Sequence, residues 1–328
     1  MTAKAYEHLE LSTQYLIEGA INRGVDVEVL DASTNTIRLK KGSVKEIVIQ
    51  ATRTSKDNYV SPLIMSNKYL TKLLLEEEGI QVPSGYKANT IEEALSLYET
   101  VKTTPMVVKP LSTNFGVGIT ILPEGFDQVS YQQALETAFH HDSTVLIETF
   151  IEGKEYRFLI INDAVIGVLH RVPANVVGDG TKTIRELIEL KNEDPLRGVG
   201  YVKPLEKIKC GDFEAKYLEE QSLSFDDVPK LDEQIFLRKN SNISTGGDSI
   251  DYTDIMDPGY LKVALAGARA MGAKICGADL IIKDIHHFDP EGYSVIELNF
   301  NPAIHIHNAP YKGENRHAEQ AVLDLLGF

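Results

Sequence analysis

The chain has 328 residues, 43% of them hydrophobic and 25% charged, proportions that exclude a disordered, fibrous or short peptide scaffold. With 33 Lys and Arg against 48 Asp and Glu the formal charge is -15, which repels polyphosphate backbones and anionic lipid, so neither nucleic acid nor a membrane is an expected partner. Cys210 and Cys276 lie far apart without His at metal-ligand spacing, and no apolar run suits a signal core or a bilayer span; a disulfide scaffold and a zinc site lack support, and a reducing cytoplasm is the expected setting.

Residues 5 to 23 place Leu9, Leu11, Tyr15, Leu16, Ala20 and Ile21 at roughly helical spacing, and after Gly24 the run VDVEVLD alternates like a strand. A second β-rich stretch, Ser43 to Ala51, completes a short α/β piece over 1–62, too small for a usual domain and expected to lean on the remainder of the chain. In SNKYLTKLLLEEEGI, Ser66 can cap a helix whose Tyr69, Leu70, Leu73 and Leu74 share a face and which Gly79 ends. A helix from Ile91 to Thr100, the strand MVVKP, the loop STNFGVGIT, a helix from Tyr131 to His140 and the strand TVLIETFI complete a mixed α/β lobe over 63–150.

The third division, 151–328, opens with KEYRFLIIN and DAVIGVLHRVPA, two strands of a hairpin turning at Asn162 and Asp163. From Val176 to Val228 the sequence is polar and loop-rich around the helix TIRELIELK, and it reads as an excursion or a movable lid. Order returns with the helix GYLKVALAGARAMG, the strands CGADLIIKDI and SVIELNFNP, and the terminal helix HAEQAVLDLLGF.

Chemistry concentrates in those last two strands. Glu297 and Asn299, two apart, project to one strand face, and hairpin pairing would bring Asp279 beside them. Such hard oxygen donors suit Mg²⁺ held jointly with substrate phosphates, against the bland alternative of a solvated strand face. Lys109 closes the strand MVVK before a loop containing Gly116 and Gly118, where a cation and close backbone N–H groups would hold a phosphate. No Walker A or GxGxxG pattern is present, so an ordinary turn is the competing reading there. Lys68 opens its helix as a weaker candidate. Arg238, in FLRKNSNISTGGDSID, offers a bidentate cation among many donors, or else simply marks a polar surface loop.

Taken in order, NKYLTKLLLEEEGIQVP, VVKP with its glycine loop, VLIETFIEGKEYRFLII, GADLIIKD and IELNFNP resemble the ATP-grasp ligases over residues 63 to 310. HRVPANVVGDGTKTIRELIE, NEDPLRG and LRKNSNISTGGDSIDYTD are similar to the branch holding cyanophycin synthetase and the glutathione synthetase half of bifunctional glutamate-cysteine ligase/glutathione synthetase; NFNPA and PYKGENR lean toward the latter. The resemblance implies an ATP-grasp fold of the α/β (α+β) class, two lobes gripping ATP, and an acyl phosphate made from a carboxylate and then displaced by an amine. It implies that Lys68 and Lys109 bind the nucleotide phosphates and that the loop with Gly116 and Gly118 closes over them. Glu148, Thr149, Phe150 and Ile151 would form the adenine-reading hinge, and Glu155 would take the ribose hydroxyls. Asp279, Glu297 and Asn299 would hold two Mg²⁺ ions, with Mn²⁺ as an alternative. Some related ligases carry Arg two residues before the first metal acid; Gly277 stands here, which moves oxyanion stabilisation to Arg238.

The expected activity joins γ-glutamylcysteine to glycine in the cytoplasm. No glutamate-cysteine ligase half is visible, so fusion or association with one is an expected arrangement, and a homodimer is compatible with the composition. The rivals are another peptide ligase, a cyanophycin-type enzyme, which would carry a Mur-ligase-like half, and a nucleotide-binding module without turnover. His305 and His307 are further candidates for substrate contact, although loop histidines are more often without a ligand.

Overall fold

In the computed structural model, which describes residues 3–113 and 117–328, the amino-terminal piece is α1 (Leu11–Asn22) followed by an antiparallel meander of β1 (Asp26–Asp31), β2 (Thr36–Lys41) and β3 (Val44–Ile49). The middle strand, unassigned from sequence, buries Ile37 and Leu39 two residues apart and exposes its lysine-rich end. Leu16, Ile37 and Val48 share one core with Leu159 and Ile275 of the largest sheet and Val322 of the terminal helix. The piece is therefore built onto the rest of the molecule, as its size demands.

Two helices come next, α2 (Val60–Met65) and α3 (Lys68–Glu77). Asn67 caps α3 in place of Ser66: its side chain accepts the Leu70 N–H at 3.1 Å, while Ser66 closes α2. The inward face also differs from the sequence expectation. Thr71, Lys72 and Leu75 are the buried positions, whereas Tyr69 and Leu73 are 46% and 40% exposed. The stripe carrying Lys68, Lys72 and Leu75 turns inward because counter-charges await the lysines, and Leu75 packs with Met65, Ala264 and Leu298 in the core of the largest sheet.

The four-stranded antiparallel sheet is built from β4 (Gly85–Ala88), β5 (Met106–Pro110), β6 (Thr120–Leu122) and β7 (Val145–Thr149), in the order β4-β7-β5-β6. It is covered by α4 (Ile91–Ser96), α5 (Tyr98–Val101) and α6 (Gln128–His141), the first two replacing the single helix expected over 91–100. Val108, Tyr131, Leu135 and Ile147 fill its core. Val107 opposes Glu148 and Lys109 opposes Leu146, so Lys109 and Glu148 share the opposite face, which is turned toward α3.

The hairpin of β8 (Lys154–Ile161) and β9 (Ala164–Val172) turns through Asn162 and Asp163, both left-handed at φ 49° and 62°. The excursion after β9 holds β10 (Asn175–Val177), α7 (Ile184–Lys191), β11 (Arg197–Gly198), β12 (Leu205–Glu206), α8 (Asp212–Glu220) and β13 (Gln234–Phe236). In place of the expected loops it has its own core of Val176, Ile184, Ile208, Leu218 and Leu237. The chain then rejoins the largest sheet with β14 (Asp248–Asp251), α9 (Pro258–Ala270), β15 (Ile275–Ile282) and β16 (Tyr293–Asn299), and ends in α10 (His305–Asn308) and α11 (Ala318–Leu326).

This sheet has the order β14-β9-β8-β15-β16, antiparallel throughout. Phe158, Ile160, Ala278 and Leu280 face the core shared with Tyr260 and Ala264 of α9. On the other face Leu159, Ile161 and Ile275 meet the amino-terminal piece, while Glu155, Arg157, Arg171, Asp279 and Glu297 gather at the opposite end by strand alternation and register. Replacing Leu75 with Ala removes a fully buried side chain from the core joining α3 to this sheet. Urea unfolding should show a loss of about 3 kcal/mol; a loss below about 1 kcal/mol would contradict this packing.

Candidate active site at the seam of the two sheets

The seam runs between α3, which belongs to the core of the largest sheet, and the open face of β5 and β7. Across it Lys72 of α3 pairs with one oxygen of Glu148, and Lys109 of β5 pairs with the other at 2.7 Å. All three side chains are less than a tenth exposed, so neutralisation inside the protein is required for them to stay charged. Burial works to raise the Glu148 pKa, but Lys109 and then Lys72 hold it below the ordinary carboxyl value. Lys68, one turn before Lys72, donates to the Thr113 carbonyl at 2.6 Å, at the edge of the glycine loop. Burial draws its pKa down; Glu297 opposes that effect and Lys109 adds to it, linking all three groups electrostatically.

On the large sheet Asp279 of β15 and Glu297 of β16 are register partners, and Asp279 also opposes Arg157 of β8. A bulge after this pair re-phases β15 against β16. Arg157 binds Asp279 through Nε and, at 2.7 Å, through Nη2, while Arg171 of β9 reaches the same carboxylate at 3.0 Å. Although burial opposes it, Arg157 and then Arg171 hold Asp279 at about 2. Asn299 Nδ2 donates to Glu297 Oε1 at 3.1 Å, which leaves its Oδ1 as a further oxygen donor. Two adjoining carboxylates and an amide oxygen fit a hard divalent cation. Among the described residues no group of three or more His, Cys, Asp or Glu could hold a metal ion, so such a cation would need Asn299 and oxygens from a substrate, the usual habit of Mg²⁺.

The other candidates lie at varied distances from this centre. The Glu155 carboxylate accepts from Ser241 Oγ at 2.5 Å and pairs with Arg171. Thr149, Phe150 and Ile151 line a 380 Å³ cavity with Ser294 beside the hinge segment. The side chain of Glu148 is instead taken up by Lys72 and Lys109. Gly118 adopts φ +75°, and a Cβ there would meet Pro110 and His141 at under 3 Å; Gly116 lies outside the described residues. Arg238 binds Glu214 at 2.6 Å and lies over the Phe213 ring on the excursion. No contact among the described residues brings it to Asp279.

Three residues here escaped the sequence reading: Lys72, Arg157 and Arg171. The usable signals were the four-residue spacing of Lys72 from Lys68 and the two-residue spacing of Arg157 from Glu155. Arg157 also explains the tolerance of glycine at 277, because a Cβ there would stand 3.1 Å from Arg157 Cδ. The space beside Gly277 is filled by Arg157 from the neighbouring strand. His305 and His307 are pulled by burial to about 4 and about 3 and are neutral at pH 7. His305 bonds Ser12 Oγ at 2.9 Å and lines a 580 Å³ cavity between the amino-terminal piece and the Asn301–Ala303 turn.

Residues 65–180 match the RimK-like ATP-grasp domain, and residues 7–60 match an ATP-grasp-like domain. The chain belongs to the ATP-grasp family. It is 54% identical over 322 residues to the glutathione biosynthesis bifunctional protein GshAB of Clostridium perfringens, covering 98% of this chain and 41% of that protein. The corresponding protein of Listeria innocua is 51% identical over 320 residues, covering 98% and 42%. The crystal structure of a bifunctional glutathione synthetase from Pasteurella multocida superposes with a TM-score of 0.79 at 44% identity, over 98% of this chain and 44% of that one. This ATP-grasp chain thus spans about two fifths of the length of its curated relatives. No described helix is long and apolar enough to cross a membrane.

Replacing Asp279 with Asn leaves Arg157 and Arg171 without their shared counter-charge, at a cost of about 3 kcal/mol in denaturant unfolding. In the wild type the depressed Asp279 pKa gives a contribution fully present above the unfolded-state value near 4 and lost as pH falls through about 2. Parallel acid titrations should therefore show a smaller stability loss over that window in the Asn variant; identical curves would contradict the pairing.

Proposed function

We propose that this chain is a glutathione synthetase: it uses ATP to join γ-glutamylcysteine to glycine and releases ADP and phosphate. The observation that carries the reading is 54% identity across 98% of the chain to a bifunctional glutathione biosynthesis protein. In chemical terms, the cysteinyl carboxylate attacks the γ-phosphorus of ATP, forming a C–O–P link as ADP departs. The uncharged glycine amine adds to the acyl carbon, loses a proton and expels inorganic phosphate, leaving the amide.

Phosphoryl transfer chiefly asks for positioning and charge neutralisation, which the buried cations of the seam are suited to supply. Lys68 and Lys109 take the phosphates, Thr149 to Ile151 take adenine, and Glu155 takes the ribose. Asp279, Glu297 and Asn299 would hold two Mg²⁺ ions, or Mn²⁺, which neutralise the triphosphate charge when bound. Arg157, already on Asp279, is better stationed than Arg238 to meet charge developing on the transferred group. Exclusion of water protects the acyl phosphate until the amine arrives. The remainder of a longer protein, of the kind its relatives carry, would supply γ-glutamylcysteine; a cytoplasmic location and a homodimer are compatible with this reading.

Incubation with ATP, Mg²⁺, γ-glutamylcysteine and glycine should release ADP and glutathione in equal amounts. ADP release only with a different carboxylate and amine would overturn the substrate assignment and keep the ligase. Glu297→Gln should cut turnover on the order of 100-fold with little change in unfolding midpoint; an unaltered rate would remove Glu297 from the metal set.

A further inference from the structure

Lys72 has no part in the assignment above, yet it is as deeply placed as Lys109: each is 7% exposed, and the Glu148 between them is 4% exposed. The carboxylate has two oxygens, and each is committed to a different ammonium. A lone Lys109–Glu148 pair would be electrically neutral, and its lysine would have to abandon a buried counter-ion to serve an incoming phosphate. With Lys72 on the second oxygen, Glu148 stays neutralised while Lys109 turns away.

The two lysines reach this carboxylate from different bodies. Lys72 rides on α3, whose Leu75 lies in the core of the large sheet, whereas Lys109 and Glu148 belong to β5 and β7. We infer that Lys72 is a positioning residue for the nucleotide: by sharing Glu148 with Lys109 across the seam, it frees the Lys109 ammonium to engage the triphosphate and keeps the local charge positive. Lys68, one turn earlier on α3 and bonded to Thr113, is held to the same frame. The inference rests on the ATP reading of the site and is independent of which amino acids are joined.

The charged groups acting on Lys72 are Lys109 of β5 and Glu148 of β7; Lys68 shares its helix, and Glu297 of β16 acts on Lys68. Burial first, and Lys109 second, draw Lys72 down to about 8. A raised pH therefore strips this charge before that of an ordinary lysine. Nucleotide affinity should be full below that value and fall as pH rises through it.

Calorimetric binding of a non-hydrolysable ATP analogue with Mg²⁺, without amino-acid substrates, tests the inference. Lys72→Met should weaken binding about tenfold at pH 7. Lys72→Arg, which keeps its charge at every pH used, should stay within about threefold of the wild type and lose the fall in affinity between pH 7 and 9. Unchanged affinity in Lys72→Met would overturn the inference, and so would a pH-independent wild-type affinity, a result available even if the Met variant folds poorly. A fall near pH 8 that persists in Lys72→Arg would pass the effect to Lys68 and also overturn it. Absence of nucleotide binding in the wild type would instead end the ATP reading itself.

Discussion

Ionised groups taken out of water must find opposite charge within the protein, and this requirement organises the seam. Glu148 is enclosed by two lysines and Asp279 by two arginines, all with side chains 13% exposed or less. Each cluster joins elements far apart in sequence: α3 with β5 and β7 in one, and β8, β9 and β15 in the other. Neither cluster survives unless its sheet keeps register and α3 keeps its docking. A slip of one residue in β15 would put Asp279 on the apolar face. Folding and site assembly are therefore one requirement here.

Carrying positive charge in excess at the lysine end and paired carboxylates at the sheet end suits a polyanion bridged by divalent cations. The chain as a whole is strongly acidic, at -15, so this local excess is a feature of placement and not of composition. All five principal cations lie on regular elements, Lys68 and Lys72 on α3, Lys109 on β5, and Arg157 and Arg171 on β8 and β9. Rigid elements hold charges in place with less reorganisation than loops can. The amino-terminal piece contributes by closing the apolar end of the large sheet, while the polar end stays with the site.

Much of this was legible in the sequence. Two-residue alternation placed Glu297 beside Asn299, hairpin pairing brought Asp279 opposite Glu297, and the end of an apolar strand located Lys109. The rest depended on tertiary partners. Lys72 lies among leucines that look like the buried face, and nothing local says that a carboxylate 76 residues later draws the lysine stripe inward. Arg157 is concealed in the apolar run of KEYRFLII, where alternation separates it from Phe158 but does not name Asp279 as its partner. The core of the excursion is hidden in the sequence because it draws on apolar residues spread thinly through polar sequence from Ala174 to Leu237. Short strands and one well-capped helix gather them only once folded.

In the proposed reaction one crevice brings divalent cations and a triphosphate to the lysines of the first sheet and the carboxylates of the second. Anomalous scattering from Mn²⁺ in crystals grown with a non-hydrolysable ATP analogue addresses it most directly. Peaks are expected within about 2.5 Å of Glu297 and Asn299 oxygens, with the triphosphate within hydrogen-bond reach of Lys68 and Lys109. Manganese peaks away from Asp279, Glu297 and Asn299, or a triphosphate lodged outside the seam, would contradict it.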